Sequence, residues 1–338
     1  MNIGKINTEK KVFIIAEIGN NHEGNFKLAK KMITAAAEAG VDAVKFQTFI
    51  PEHYVSSEDQ SRINRLRTFQ LNFNQFKKLS EYAKKKKLIF FSTPFDIKSA
   101  KFLNSIQKIF KISSGDNNFY PLIETVANFK KPIIVSTGAA DLITIKKLYN
   151  KIKKIWSKKN INSQNLSFLH CVSSYPVPHD QANLASITYL KKKFPNIVIG
   201  YSDHTLGIDA AVYSVIAGAR IVEKHFTLNK KYSDFRDHQL SADPREMRLM
   251  VEKIRKVEKM LGKEEINIQS CEKEMQFMGR RSIAVNRDIA KGTKLNFTDL
   301  IWVRPGKGFF PGEEKKVTGK KLLKNLKKYE IINKNCIK

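Results

Sequence analysis

Two histidines, two lysines, a set of carboxylates and several hydroxyls share one context in this chain. Each stands in or just after a short run of β-branched or aromatic apolar residues. His204 ends IVIGYSDHT (197–205) and His225 ends ARIVEKHF (219–226). Neutral imidazoles suit Mn²⁺, Co²⁺ or Zn²⁺, and two histidines alone would leave positions open for water and a substrate oxygen. Either histidine by itself also reads as a hydrogen-bonded core residue; their pairing on successive segments, beside Asp203 and Glu223, favours a metal. Lys45 in AVKFQTF (43–49) and Lys111 in FKISSGD (110–116) stand among hydroxyls: Thr93 in LIFFSTPF (88–95), Ser114, Ser136 in PIIVSTG (132–138), and Ser202. Ammonium groups with hydroxyls form a phosphate-binding set through charge-assisted hydrogen bonds. An unpaired ammonium is expensive to bury, so an anion is its natural partner. Glu17 in FIIAEIGNNHEG (13–24) can move protons on water or a hydroxyl, or can pair with a rim lysine; both readings stand. Neither GxGxxG nor GxxxxGK[ST] occurs, which argues against NAD and ATP chemistry.

Those seven runs, with SFLHCVSSYP (167–176), make eight. Each is short and continuously apolar, as for strands buried on both faces of a parallel sheet. Helical patterns separate them, such as NFKLAKKMITAAAEAG at 25–40, where Gly40 sits at a C-cap position. Eight strand–helix units predict an α/β fold of the (β/α)₈ TIM-barrel kind, whose catalytic groups gather at the C-terminal strand ends. Gln47, Asp116, His170 and Tyr175 fall at the same ends. So many ionisable groups at one rim predict an enzyme. At 338 residues the chain exceeds a bare barrel. A catalytic barrel domain is expected over 1–262, beginning its strands near Val12, then a polar linker over 263–280. From Arg281 to the end, at 281–338, Gly and Pro recur every few residues as in a small turn-rich β domain.

The formal charge is +29 with a pI near 9.9, which raises a nucleic-acid reading. The lysines are instead scattered in short runs at 84–87, 191–193 and 327–328, and no zinc-finger, RRM or basic-helix pattern occurs. A solvated surface that steers anionic substrates is the preferred reading, with no specific nucleic acid. No run of about 18 apolar residues predicts a membrane span. The N-terminus lacks a signal-peptide apolar region, and three cysteines without CxxC spacing fit a reducing cytoplasm.

Taken together, AEIGNNHEG, VKFQT, FSTPF, KISSGD, STG, HCVSSYP, YSDHTLG and EKHFT resemble the sialic acid synthase family. The tail segments RRSIAVNRDIAKG, DLIWVRPGKG and VTGKKL resemble that family's antifreeze-like (SAF, β-clip) domain. The resemblance implies condensation of phosphoenolpyruvate with an N-acetylated hexosamine to a nine-carbon 2-keto acid and phosphate. The acceptor would be N-acetylmannosamine or a 2,4-diacetamido-trideoxyhexose, since N-acetylneuraminate, legionaminate and pseudaminate synthases share these motifs. It implies a divalent metal, Mn²⁺ ahead of Mg²⁺ or Co²⁺, on His204 and His225. It assigns Glu17 as the acid/base for the water that attacks C2. Lys45, Thr93, Lys111, Ser114, Ser136, Ser173 and Ser202 match phosphoenolpyruvate positions, and Gln47, Asp116, Tyr175, Asp237 and Arg304 sugar-side positions. Arg304 would reach the partner's site in a domain-swapped homodimer. Two departures touch the sugar side: Ser173 stands where some members carry Asn, and the segment at 231–244 has an aromatic and an Arg in place of Gly-Pro before Asp237. Two rivals remain at this level: a Schiff-base pyruvate aldolase using Lys45 or Lys111, and a basic nucleic-acid-binding protein on a degenerate barrel.

Overall fold

The computed structural model describes residues 1–162 and 165–338. A short antiparallel hairpin, β1 (Asn2–Ile3) and β2 (Ile6–Asn7), opens the chain. Eight parallel strands follow: β3 (Phe13–Gly19), β4 (Ala43–Thr48), β5 (Ile89–Pro94), β6 (Phe110–Ile112), β7 (Ile133–Ser136), β8 (Leu166–Cys171), β9 (Val198–Asp203) and β10 (Ile221–His225). They form one sheet in the order β5-β4-β3-β10-β9-β8-β7-β6. Because the last strand pairs with the first, the sheet curls into a barrel whose seam lies between β5 and β6. Gln107, just before β6, bridges that seam. Its side-chain oxygen accepts from Ser92 N–H at 2.8 Å and its amide donates to Ser92 C=O at 3.2 Å, replacing the missing ladder for that residue.

The strands read as unbroken apolar runs because both faces are covered. Toward the helices, Val12, Ile14, Val44, Phe90, Ile112, Val135, Phe168 and Val222 belong to one large core. Inside the barrel a smaller core holds Phe13, Ile15, Ala43, Phe91, Ile134, Leu169 and Ile221, with Met1 and Ile3 of the hairpin packed beneath. This interior leaves no room at Gly200. A Cβ there would lie 2.4 Å from Ile221 O and 2.5 Å from Leu169 Cδ2. Above that apolar layer the inward positions turn polar. Register places Glu17 between Lys45 on β4 and His225 on β10.

The helices are set by polar caps. Asn25 accepts from Leu28 N–H ahead of the helix Phe26–Glu38, which gives way to Gly40 at φ +84°. Asp243 and Glu246 form a reciprocal capping box on the helix Pro244–Leu261. A second compact unit comprises Lys263–Lys338. It contains an antiparallel pair, β11 (Ser282–Val285) and β12 (Leu300–Val303), over a core of Ile283, Val285, Leu295, Leu322 and Ile332. The segment read as a linker at 263–280 groups with this unit and carries a helix at Lys273–Gly279. Phe277 C=O accepts from Gly306 N–H at 2.8 Å, so the end of the segment is stitched into the small domain. The helix is short and its Met275, Phe277 and Met278 are exposed, which explains why no amphipathic period announced it.

Candidate active site

The C-terminal strand ends enclose a cavity of about 740 Å³. Its floor is a closed network of buried charges. Lys45 Nζ lies 2.9 Å from Glu17 Oε1 and 3.6 Å from Glu223 Oε1, and donates to Thr93 Oγ1 at 3.1 Å. Lys111 Nζ lies 3.6 Å from the same Glu223 oxygen and donates to Ser136 Oγ at 2.7 Å. Ser202 Oγ donates to Glu223 Oε1 at 3.1 Å, and Gln47 Nε2 donates to Glu17 Oε1 at 3.2 Å. Glu17, Lys45, Lys111 and Glu223 are all buried. Their second oxygens are informative: Glu17 Oε2 and Glu223 Oε2 are buried without a hydrogen-bond partner in the protein, as is Asp237 Oδ1 higher in the cavity. Such orphans are rare in ordinary cores and point to a ligand site.

Local backbone prepares this floor. At Gly19 the β3–β4 register slips, with φ at +53°, and a Cβ would crowd Glu17 Oε1 at 3.2 Å and Gln47 Nε2 at 3.3 Å. At Gly138, after β7, a Cβ would lie 2.3 Å from Ser173 Oγ and 2.7 Å from Ser114 Oγ. The missing side chain lets both hydroxyls converge, and Gly138 N–H donates to Ser114 Oγ at 3.1 Å.

The two carboxylates of the floor are driven apart. Burial pushes Glu17 up to about 7; Lys45 pulls the other way and the charge of Glu223 adds to the push. Burial alone would also raise Glu223, but Lys111 and Lys45 overcome it and hold that carboxyl below its usual range. One carboxyl therefore exchanges a proton near neutrality while its neighbour stays ionised, the division that acid/base sites use. Burial lowers the Lys111 ammonium below its ordinary value.

His204 and His225 stand on one wall, their ring centroids 5.3 Å apart. His204 Nδ1 is 2.9 Å from Val172 C=O, which makes that nitrogen the donor and Nε2 the lone-pair atom of the neutral ring; burial works against a proton there, but Cys171 and the Val172 carbonyl outweigh it and hold His204 above the usual imidazole range. His225 Nδ1 is buried without a hydrogen-bond partner. Burial, then the nearby ammonium charges of Lys45, Lys224 and Lys111, hold His225 well below the usual imidazole range, so it is neutral. One oriented and one unpartnered imidazole fit a divalent ion. Among the described residues no group of three His, Cys, Asp or Glu could hold a metal, so the pair would form an open site. Beneath it, Lys224 is fully buried on the outer face of β10. It lies 2.9 Å from Asp203 Oδ2 and donates to Thr205 C=O at 2.6 Å, tying the ends of β9 and β10 together where both histidines emerge.

Of the residues singled out from sequence, Glu17, Lys45, Gln47, Thr93, Lys111, Ser114, Ser136, Ser173, Tyr175, Ser202, His204, His225 and Asp237 line this one cavity. Asp116 does not line it; its carboxylate accepts from Ser113 Oγ, a lining residue, at 2.6 Å. Arg304 is exposed on the second unit. Asp203 and His170, grouped with the rim from sequence, face elsewhere. Asp203 serves Lys224, Thr205 and Tyr201, and His170 Nε2 engages Ala182 C=O at 2.9 Å. The cavity also recruits residues that sequence reasoning passed over: Asn20, whose amide donates to Gln47 Oε1 at 2.8 Å, and Arg62 and Arg65 at its mouth; Arg236, noted from sequence only as a departure before Asp237, lines it too.

The NeuB family model matches residues 32–266 and the SAF domain model residues 280–338. The chain belongs to the NeuB family. It is 36% identical to the N,N'-diacetyllegionaminic acid synthase of Campylobacter jejuni, over 96% of this chain and 99% of that one. It is 34% identical to the pseudaminic acid synthase of the same species, over 97% of each. A crystal structure of N-acetylneuraminic acid synthetase from Leptospira borgpetersenii matches with a TM-score of 0.75 and 35% identity, covering 81% of this chain and 94% of that one. These relatives are synthases, so the NeuB-type barrel with its SAF domain is that of an enzyme.

Proposed function

We propose that this NeuB-family chain condenses phosphoenolpyruvate with the open-chain aldehyde of an N-acylated hexosamine, giving a nine-carbon 2-keto acid and phosphate. The observation that carries it is the Lys45–Glu17 and Lys111–Glu223 floor lying below the His204–His225 wall in one cavity. The lysines, with Thr93, Ser114, Ser136, Ser173 and Ser202, suit the phosphate and carboxylate of phosphoenolpyruvate. His204 and His225 would hold a divalent ion, Mn²⁺ first, which supplies Lewis-acid polarisation to a carbonyl oxygen. Gln47, Tyr175 and Asp237 line the acceptor side.

The electrons balance as follows. C3 of phosphoenolpyruvate attacks the aldehyde carbon, forming the carbon–carbon bond as the C2–C3 π bond is consumed, and the aldehyde oxygen takes a proton from solvent. C2 is left as an oxygen-stabilised cation facing the ionised Glu223. Water adds to C2 and gives its proton to Glu17, whose affinity near neutrality suits that exchange. Collapse of the tetrahedral centre forms the C2 carbonyl, passes the remaining hydroxyl proton to the departing phosphate and breaks the C2–O bond.

The homodimer expected from the resemblance belongs to this reading. Its support is the family likeness and the exposure of Arg304 on the SAF domain. Co-expressing Arg304→Ala with Glu17→Gln chains should restore activity absent from either alone. A reducing cytoplasm suits the three free thiols, Cys171, Cys271 and Cys336, and no helix among the described residues is long and apolar enough to cross a membrane. The direct test incubates the protein with phosphoenolpyruvate, Mn²⁺ and a panel of N-acetylated hexoses, scoring phosphate and product mass. A borohydride arm with pyruvate should trap nothing; an adduct on Lys45 or Lys111 would replace this reading with an imine-forming aldolase.

A further inference from the structure

A buried polar cluster that the reaction above does not use lies just behind the acceptor side. It joins the loop after β3 to the segment beyond β10. Asn20 lines the cavity, while Asn21 and Glu23 turn away to hold residues 226–241. Asn21 Nδ2 donates to Phe226 C=O and to Ser241 Oγ, both at 2.9 Å, and Ser241 Oγ donates to Asp237 C=O at 2.5 Å. Glu23 Oε1 lies 3.1 Å from His238 Nε2 and also accepts from Ser233 Oγ. A carboxylate can only accept, so Nε2–H is the donor there. On the other side of the ring His238 Nδ1 is hydrogen-bonded to Thr227 Oγ1 at 2.7 Å. His238 and Thr227 are each 1% exposed, and the rings of Tyr232 and Phe235 pack on the imidazole with centroids 5.4 and 6.1 Å away.

Three details set this clamp apart from ordinary loop packing. Glu23 adopts φ +44°, left-handed backbone that glycine takes with less strain; what glycine could not supply is the carboxylate. The clamped residue is the immediate neighbour of Asp237, which lines the cavity and whose Oδ1 is buried without a hydrogen-bond partner. The helix that carries both, Asp237–Leu240, has four residues and no side-chain cap, too little to hold its own place. Arg236 also stands where a proline was expected from the resemblance, so no ring fixes φ ahead of Asp237. Rigidity at that position has to come from outside the segment.

We propose that Glu23, His238 and Thr227 are positioning residues for the acceptor: they fix the backbone at Asp237 so that its free carboxylate oxygen accepts from a hydroxyl or amide N–H of the sugar. None of the three lines the cavity, so they act through Asp237 alone. Phosphoenolpyruvate, placed on the floor with Lys45 and Lys111, does not depend on them. The clamp therefore divides the two substrates, and that division is what a merely structural role would not produce.

This inference rests on the synthase reading, and its test separates the two. Keto-acid formation by the full chain with Mn²⁺ is followed while phosphoenolpyruvate and the acceptor are varied in turn. The acceptor is the fastest of the hexose panel, N-acetylmannosamine or a 2,4-diacetamido-trideoxyhexose. His238→Ala should lower kcat/KM for the acceptor by about ten- to a hundredfold, the scale on which misplacing an orienting group is felt, and leave the KM for phosphoenolpyruvate within about twofold. His238→Gln, whose amide N–H can take the place of Nε2–H, should recover part of the loss. Glu23→Gln keeps an acceptor oxygen and should stay near the parent, whereas Glu23→Ala should match His238→Ala. The double alanine variant should be no worse than the more damaged single one, as for residues that act as a unit. Thermal melts report folding, and if His238→Ala does not fold, Glu23→Ala, at a side chain 22% exposed, carries the same prediction. Equal losses toward both substrates, additive losses in the double variant, or alanine variants with parental kcat/KM would each overturn the inference while the parent's condensation leaves the synthase reading standing. A parent that condenses no acceptor of the panel overturns both.

Discussion

Replacing Lys111 by Met removes one ammonium from the floor while keeping most of its volume. Lys111 Nζ makes a 2.7 Å bond to Ser136 Oγ and faces Glu223 Oε1 at 3.6 Å. After the change Glu223 still has Lys45 at 3.6 Å and Ser202 at 3.1 Å, so the carboxylate keeps two partners and the fold should persist. The loss falls on the bound anion. A hydrogen bond to a charged group contributes about 1.5–3 kcal/mol. At about 1.4 kcal/mol per tenfold, the KM for phosphoenolpyruvate should rise roughly ten- to 150-fold. The assay is phosphate release at saturating acceptor, with a thermal melt to confirm folding. The KM for the acceptor should move far less. A folded variant whose phosphoenolpyruvate KM stays within about twofold of the parent would refute the assignment of Lys111 to the anion floor, because a direct charged contact cannot be removed so cheaply.

Other perturbations read other parts of the site. Glu17→Gln should lower kcat by about a hundredfold or more. Because Glu17 titrates near 7 and must be ionised to take water's proton, parent kcat should climb as pH rises through that value; the variant should lose this limb in a pH–rate profile. His204→Ala or His225→Ala should lose bound Mn²⁺ by metal analysis after dialysis, and full metal content in both would remove the pair as ligands. Lys224→Met strips Asp203 of its buried partner, a loss of about 3–5 kcal/mol. That corresponds to a fall in Tm of roughly 6–20 °C for a domain of this size, and Asp203→Asn in the same chain should recover part of it. An unshifted melt would show that the pair does not bind β9 to β10.

Much of the barrel was legible because strands covered on both faces must be apolar throughout, and eight such runs alternate with capped helices. Lys45, Lys111 and Glu17 stood out since a charge inside such a run has nowhere dry to go. The errors at the rim follow from parity. Along a strand successive side chains alternate faces. Leu169 and Cys171 point inward on β8, so His170 turns to the helices; Gly200 and Ser202 point inward on β9, so Asp203 turns away to Lys224. Counting in twos from the apolar interior would have excluded both and raised Glu223, two residues from His225. Arg62 and Arg65 were not legible at all, and Arg236 showed only as a departure from the family pattern before Asp237. They sit on a short helix and a loop beyond the strands, where a charged residue looks like any solvated surface and only folding brings it over the cavity.

The central claim is that the floor directs water to C2 of phosphoenolpyruvate after C3 has bonded to an aldehyde. The most direct measurement uses phosphoenolpyruvate carrying ¹⁸O in the bridge between C2 and phosphorus, with an N-acylated hexosamine acceptor and Mn²⁺. Breaking the C2–O bond must carry the label into inorganic phosphate, leaving the keto oxygen to come from solvent. Label found in phosphate, together with a nine-carbon keto acid by mass, is the predicted result; label retained in the keto acid would mean phosphorus–oxygen cleavage and would contradict the account.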